Sequence, residues 1–288
     1  MKIDPRDFRI SHGQKLRLRR WPTRLKARYK SAKHYQELLA ADAEKLDALQ
    51  RLLYASDAQA VLLVFQGMDA AGKDGAISHV LHGVNPQGCD VHSFKVPSAE
   101  ELQHDFLWRA ACRLPARGRI GVFNRSHYEE VTIVRVHPEL LGAEGVAVKR
   151  GGRKRFWQER FRSIVDWEKH LHRNGTRVIK FFLHLSKAEQ RRRFLARIDE
   201  PDKNWKFSRA DAAERKFWSQ YQAAYEDCLP ATSTKSAPWH VVPADDKYTA
   251  RLIIARIVIA ALQSLDLGYP KVTRSRRSEL RAIGRQLA

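Results

Sequence analysis

Negative charge is scarce in this chain of 288 residues, where 32 Asp and Glu stand against 53 Lys and Arg and leave a formal charge of +21. The imbalance excludes an acidic solvating protein and favours polyanionic partners such as nucleic acid, acidic lipid or a phosphate polymer, because each neutralised phosphate releases counterions. It does not choose among them. Cysteine is also sparse: Cys89, Cys112 and Cys228, three and widely separated, form neither an even disulfide framework nor a close-spaced metal pair, which fits a reducing cytoplasm. No apolar run reaches the roughly 18 residues of a membrane span, since Leu252 to Leu262 is interrupted by Arg256. Met1 to Pro5 is not followed by an apolar stretch, so no secretory signal is expected. Internal repeats and long low-complexity linkers are missing too, which leaves one domain as the expectation. A hydrophobic fraction of 43% with 7 Trp is enough to build its core.

The charge is concentrated at the ends. Residues 1–34 carry twelve basic and two acidic side chains, and residues 271–288 carry six and one. They are expected as a basic N-terminal extension and a basic C-terminal tail around a domain spanning 35–270. Solubilising or subunit-contact segments would look the same as segments that bind substrate.

Within the domain, leucines spaced three and four apart from Tyr35 to Tyr54 predict an amphipathic helix. Val61 to Phe65 is a short apolar run that suits a buried parallel strand. Further strands are expected at Val91 to Phe94, Arg119 to Phe123, Val178 to Leu185 and Trp239 to Val242. Helices are expected from near Gly72, from Ser98 to about Cys112, along Trp157 to Leu171, after Ser186, from Ser208 to about Cys228 and from near Asp245. Strands alternating with helices predict an α/β fold, a parallel sheet covered on both faces.

Gly67-Met68-Asp69-Ala70-Ala71-Gly72-Lys73-Asp74 fits G-x-x-x-x-G-K between a predicted strand and a helix, with Asp74 where Ser or Thr usually stands. Glycines let the backbone approach an anion, the loop amides form a nest, and Lys73 adds a full charge beside the helix N-terminus. Two carboxylates, Asp69 and Asp74, would repel a phosphate here unless Mg²⁺ neutralised them; an N-cap is the plainer role for Asp74.

Phe123-Asn124-Arg125-Ser126-His127-Tyr128-Glu129-Glu130 follows a strand at the sheet edge where open α/β folds bind ligands. Arg125 could clamp a phosphate, Glu129 could hold metal-bound water, and His127 is more readily an ordinary hydrogen-bonding residue than an acid or base. Arg191, Arg192, Arg193, Arg197, Lys203 and Lys206 crowd a short stretch with Trp205. Arg193 and Arg197 share a helical face, and with Lys203 and Lys206 they suggest a lid that closes on phosphate and excludes water.

At these motifs the chain resembles the second family of polyphosphate kinases. The likeness is carried by Gly67 to Asp74 with Gly75, by Gly83-Val84-Asn85-Pro86, by Phe123 to Glu129, and by Glu200-Pro201-Asp202-Lys203-Asn204-Trp205-Lys206-Phe207-Ser208, and runs from about residue 20 to 270. The resemblance implies a three-layer P-loop kinase fold like thymidylate kinase, with a helical lid at about 187–210. It also implies Mg²⁺-dependent phosphoryl transfer, with Mn²⁺ as a substitute, between inorganic polyphosphate and AMP, ADP or ATP, with guanine nucleotides as further substrates. The loop from Gly67 through Met68, Ala70, Ala71 and Gly72 to Lys73, together with Asp69 and Arg125, is then assigned to reacting phosphates. The metal falls to Asp69 and Glu129, and phosphate or nucleotide contacts fall to Asp74, Gly75, Asn124, His127, Glu129, Arg193, Arg197, Lys203 and Lys206. Asn124 stands where other members have Asp, a form that looks like the branch using both AMP and ADP. A homo-oligomer, dimer or tetramer, is also implied. An ATP-dependent nucleoside monophosphate kinase would share the loop and lid. A basic nucleic-acid-binding protein would explain the charge but none of the four motifs.

Overall fold

The computed structural model describes residues 3–143, 145, 146, 148 and 152–287, with only the backbone of Lys206. Five strands form one all-parallel sheet: β1 (Ala60–Gly67), β2 (Cys89–Ser93), β3 (Ile120–Asn124), β4 (Thr176–His184) and β5 (Trp239–Pro243), in the order β2-β3-β1-β4-β5. All five expected strands are present. The helices are α1 (Ala32–Ser56), α2 (Lys73–Val80), α3 (Ala99–Leu102), α4 (Trp108–Ala111), α5 (Glu129–Val136), α6 (Arg153–Arg173), α7 (Lys187–Asp199), α8 (Arg209–Glu214), α9 (Trp218–Thr232), α10 (Lys247–Gln263) and α11 (Arg274–Leu287).

Because successive strand side chains point to opposite faces, β1 feeds two cores. Val61, Leu63 and Phe65 pack with Leu46 and Leu53 of α1, Ile77 of α2 and Ile253 of α10. Leu62 and Val64 face the other way, against Val131 of α5, Ile164 of α6 and Leu229 of α9. The result is a three-layer α/β domain. Among the described residues no helix is long and apolar enough to cross a membrane.

At the N-terminal end the structure departs from the sequence expectation for a physical reason. The N-terminal segment is not an extension: Ile3 and Phe8 join the first core and Ile10, Leu16 and Leu18 the second. The Ile10 amide donates to Trp239 O at 3.0 Å, and Arg9 bridges His240 in antiparallel fashion. The segment thereby covers the edge of β5, which would otherwise offer unpaired backbone groups. Most of its cations, among them Arg9, Lys15, Arg17, Arg19 and Arg20, stay exposed while its sparse apolar side chains enter the core. The basic C-terminal tail forms helix α11, which has no buried residue. The helix expected from Ser98 to Cys112 is interrupted, because the Asp105 carboxylate accepts the Leu107 amide at 2.9 Å and makes a local turn.

Beneath the sheet's C-terminal edge lies a buried ionic cluster. Lys180 Nζ on β4 donates to Glu168 Oε2 at 2.5 Å, to Tyr128 Oη at 2.9 Å and to Thr232 O at 2.8 Å, with both charges sealed from solvent. Such a pair persists in a low dielectric only because further hydrogen bonds complete it. Here it ties β4, α6 and the segment after β3 to one point.

Candidate functional site

β1 ends in a loop whose backbone demands small residues. Gly67 has φ +153°, and a Cβ there would lie 2.9 Å from Leu183 O on the neighbouring strand. Ala70 and Gly72 also have positive φ, and Gly72 is the N-cap of α2. Lys73, the first residue of that helix, turns back over the loop and donates from Nζ to Gly67 O at 2.9 Å and Met68 O at 3.4 Å. Its side chain is buried, and burial lowers its pKa; Arg125 adds to the effect, while Asp69, Glu129 and Asp74 oppose it. Gly67→Ala should cost about 1–3 kcal/mol of stability through backbone strain. It should also cut the phosphoryl transfer that the resemblance implies on the order of 100-fold by displacing the loop. Urea unfolding beside a rate measurement checks both, and a wild-type midpoint would mean the loop can shift freely.

The segment after β3 meets this loop from the next strand. Arg125 has φ +62°, its amide donates to Phe65 O at 3.1 Å, and its guanidinium lies 3.4 Å from Asp69 Oδ1. Asn124 Nδ2 donates to Asp74 Oδ1 at 2.7 Å, with Ser93 Oγ at 3.4 Å. The Asn124 amide thus serves a purpose a carboxylate could not, since Asp at this position would face Asp74 with like charge. Asp74 lies in the first turn of α2 and bridges to β3; the N-cap role belongs to Gly72. Glu129 opens α5 half-buried. Burial raises its pKa, and Arg125, Lys73 and a hydrogen bond from Gln66 pull it back.

Arg193 takes a different place from the one its charge suggested. Its Nη1 donates to Ala70 O at 2.9 Å and Ala71 O at 3.0 Å, its Nη2 to Ala244 O at 2.6 Å and Asp245 O at 3.4 Å, and its Nε to Glu189 Oε1 at 2.9 Å. Every donor of the fork is engaged, so Arg193 braces the loop after β1 against the chain after β5. The Ser186 hydroxyl caps α7 by accepting the Glu189 amide at 3.1 Å, the Glu189 carboxylate turns to Arg192 and Arg193, and the Ser186 amide goes to Asp245 Oδ1 at 2.8 Å. Gln190 Nε2 adds a bond to Asp69 O at 3.0 Å. The first half of the expected lid is therefore fastened to the loop.

A cleft of about 840 Å³ opens above the loop between the ends of β1, β2 and β3. The structure brings Asp69, Ala70, Ala71, Gly72, Lys73, Asp74, Gly75, Asn124 and Arg125 into its lining, together with Arg197, Lys203 and Trp205. A smaller recess of about 280 Å³ on the far side of Gly72 and Gly75 shares Arg197 and Lys203 and adds Lys247 and Arg251 from α10. Lys203 pairs with Glu200, and Arg197 lies over the Phe194 ring at 5.7 Å. The Lys206 side chain lies outside the described residues.

His127 does not join this group. It is buried in the second core, 4.6 Å from the Tyr128 ring and 4.9 Å from Trp167, with neither nitrogen hydrogen-bonded among the described residues. Burial, helped by the charge of Lys180, pushes its pKa down to about 3. Sequence reasoning missed the bracing roles of Arg193 and Gln190 and the lining residues Lys95, Lys247 and Arg251. Only Lys247 and Arg251 left a trace, a four-residue spacing on an otherwise apolar helix.

With this geometry, comparison with known proteins is specific. The polyphosphate kinase 2 family model matches residues 29–268. An ADP-polyphosphate phosphotransferase of Rhodopseudomonas palustris is 59% identical, covering 100% of this chain and 99% of its own. An AMP/ADP-polyphosphate phosphotransferase of Meiothermus ruber is 43% identical, covering 82% and 84%. The crystal structure of polyphosphate kinase 2 from Arthrobacter aurescens superimposes with a TM-score of 0.86 at 38% identity, covering 98% of this chain and 97% of that one.

Proposed function

We propose that this chain, which belongs to the polyphosphate kinase 2 family, moves a phosphoryl group between inorganic polyphosphate and a nucleotide, with ADP and AMP as acceptors. The observation that carries the reading is the gathering of cations from separate segments around one cleft: Lys73 and Arg125 beside the loop amides, with Arg197 of α7 and Lys203 from the segment after it. Two polyanions brought together repel, and the cations lining the cleft offset that repulsion while the loop fixes their alignment. On phosphate binding Lys73 exchanges its two carbonyl partners for the ligand. Arg193, engaged with backbone, keeps the loop carbonyls turned away from the anion. The segment 200–211 acts as the closing part of the lid, carrying Lys203 and Trp205 over the cleft and excluding water as the competing acceptor.

Mg²⁺ fits the donors present. Among the described residues no three acidic, His or Cys groups form a metal cage, but Mg²⁺ retains waters and is commonly held by one or two carboxylates with substrate phosphates. Asp69 and Glu129, both beside Lys73 and Arg125, would hold it. When bound it neutralises phosphate charge. Arg125 meanwhile orients the Asp69 carboxylate, and Asn124 fixes Asp74.

The test is chromatography of nucleotides after incubation with polyphosphate, Mg²⁺ and ADP, AMP or GDP in separate tubes with no ATP supplied. ATP should form from ADP, and ADP followed by ATP from AMP. No product from polyphosphate but turnover with ATP and AMP would replace the reading with a nucleoside monophosphate kinase. ATP from ADP alone would remove AMP as an acceptor.

A further inference from the structure

The reading above leaves α11 without a role. This helix has no buried residue, and it carries five arginines against one acidic side chain, Glu279, which pairs with Arg276 at 2.7 Å. The other four, Arg274, Arg277, Arg281 and Arg285, follow one another at steps of three, four and four residues, so they line one face over about 16 Å of helix. Among the described residues none of the four makes an ion pair. Neighbouring guanidiniums at four-residue spacing repel, and a fourteen-residue helix without tertiary packing is marginal in water. A ladder of this kind is stable as a helix when an extended anion lies along it.

We infer that the Arg274–Arg285 face of α11 is a second polyanion site that holds the distal part of a long polyphosphate chain whose reacting end occupies the cleft. The inference rests on the polyphosphate reading, and it follows from size. A cleft of about 840 Å³ takes only the end of a long polymer, and the remainder must run over the protein or into solvent. Residues 268–273, between α10 and α11, have no regular structure and give the helix about 20 Å of reach. Charge complementarity favours this occupant over a second copy of a chain of net charge +21. The exposed stripe of Leu280, Ile283 and Leu287 beside the ladder is narrow for a helix lying in a membrane surface.

The experiment uses the full chain, a labelled long-chain polyphosphate for binding, and kinetics with long-chain polyphosphate and with tripolyphosphate as donors. The variant Arg277→Gln/Arg281→Gln/Arg285→Gln should weaken long-chain binding and raise its KM about tenfold at moderate salt. It should also lower the slope of log affinity against log salt by about 2, since each phosphate contact on a single-stranded polyanion contributes about 0.7. The tripolyphosphate KM should move less than twofold. Loss of the long-chain preference in this variant, with Leu280→Ser/Ile283→Ser/Leu287→Ser retaining it, supports the site. Equal binding by wild type and the arginine variant overturns it. So does a pattern in which only the serine variant changes, by losing binding to phosphatidylserine vesicles or by changing the assembly mass, which would make α11 a membrane or subunit contact. Arginine-dependent binding without any turnover would sink the phosphotransferase reading and leave the helix site standing. Normal turnover with arginine-independent binding would do the reverse.

Discussion

Lys73→Met should lower the rate of phosphoryl transfer about 1000-fold while leaving the fold intact. The rate loss is the expected size for one charge-assisted donor aimed at developing phosphate charge in a site shielded from water. Its persistence at saturating substrate would place the effect in kcat rather than in binding alone. Stability should change by only about 1 kcal/mol, because two opposing effects meet at this position. The substitution removes a buried ammonium, and replacing a buried charge by an apolar group of similar length is often neutral or better. It also leaves the carbonyls of Gly67 and Met68 without the donor they have at 2.9 and 3.4 Å, a loss of about 1 kcal/mol. Lys73→Arg is the instructive companion. It keeps the charge, but the fork cannot occupy the point position of an ammonium between those carbonyls, so a large part of the loss should remain. Transfer at the wild-type rate in Lys73→Met, with both substrates saturating, would take this residue out of the chemistry and leave the loop as a turn.

Much of this site was legible because its geometry is local. The loop after β1 sits in a strand, a glycine-dependent turn and a helix start within fourteen residues, and each part leaves its own sequence mark. Arg125 and Asn124 were legible for a related reason, since residues at the end of a strand next to β1 have few other places to point. The charged helix misled because charge reports exposure, not direction. Arg193 looks like its neighbour Arg192 in sequence, yet Arg193 is nearly enclosed by backbone carbonyls from 70, 71 and 244 while Arg192 remains largely exposed. No spacing rule anticipates partners about 120 residues earlier and 50 residues later in the chain.

The same limit governs the fold. Strands with continuous apolar runs and helices with periodic leucines announced themselves, because burial on one or both faces fixes their pattern. The N-terminal segment did not, since twelve cations outweigh five core side chains in any local average. Its position depends on β5, more than 200 residues away.

Acid should unfold this protein through two neutral histidines that local sequence does not distinguish from surface ones. His127 and His240 are buried, with pKa values near 3 and 4 against an ordinary 6.5, each depressed chiefly by burial. Lys180 adds to the effect at His127; at His240 Arg9 and Lys180 add to it while a backbone hydrogen bond to Lys180 opposes it. Unfolded chains take up a proton at each below about pH 6.5, whereas the folded protein does not until pH 4 and then pH 3. Stability from these groups is therefore complete above pH 6.5 and declines as pH falls toward 4, by about 2.7 kcal/mol per pH unit while both are affected. Between pH 6.5 and 4.5 that amounts to about 5 kcal/mol, comparable with the whole stability of many domains. The raised pKa values of Asp42, Glu129 and Glu168 act in the opposite direction in acid, so the histidine contribution is read as a difference between proteins. His127→Phe/His240→Phe should flatten the dependence of urea-unfolding free energy on pH by two protons over this window, whatever fixed packing cost it adds. Parallel curves for wild type and variant would mean that the imidazoles take up protons in the folded state without penalty. His127 stands two residues after Arg125, so the acid transition that charges it should also release the Arg125 segment, and transfer activity should fall along the same curve as the fold.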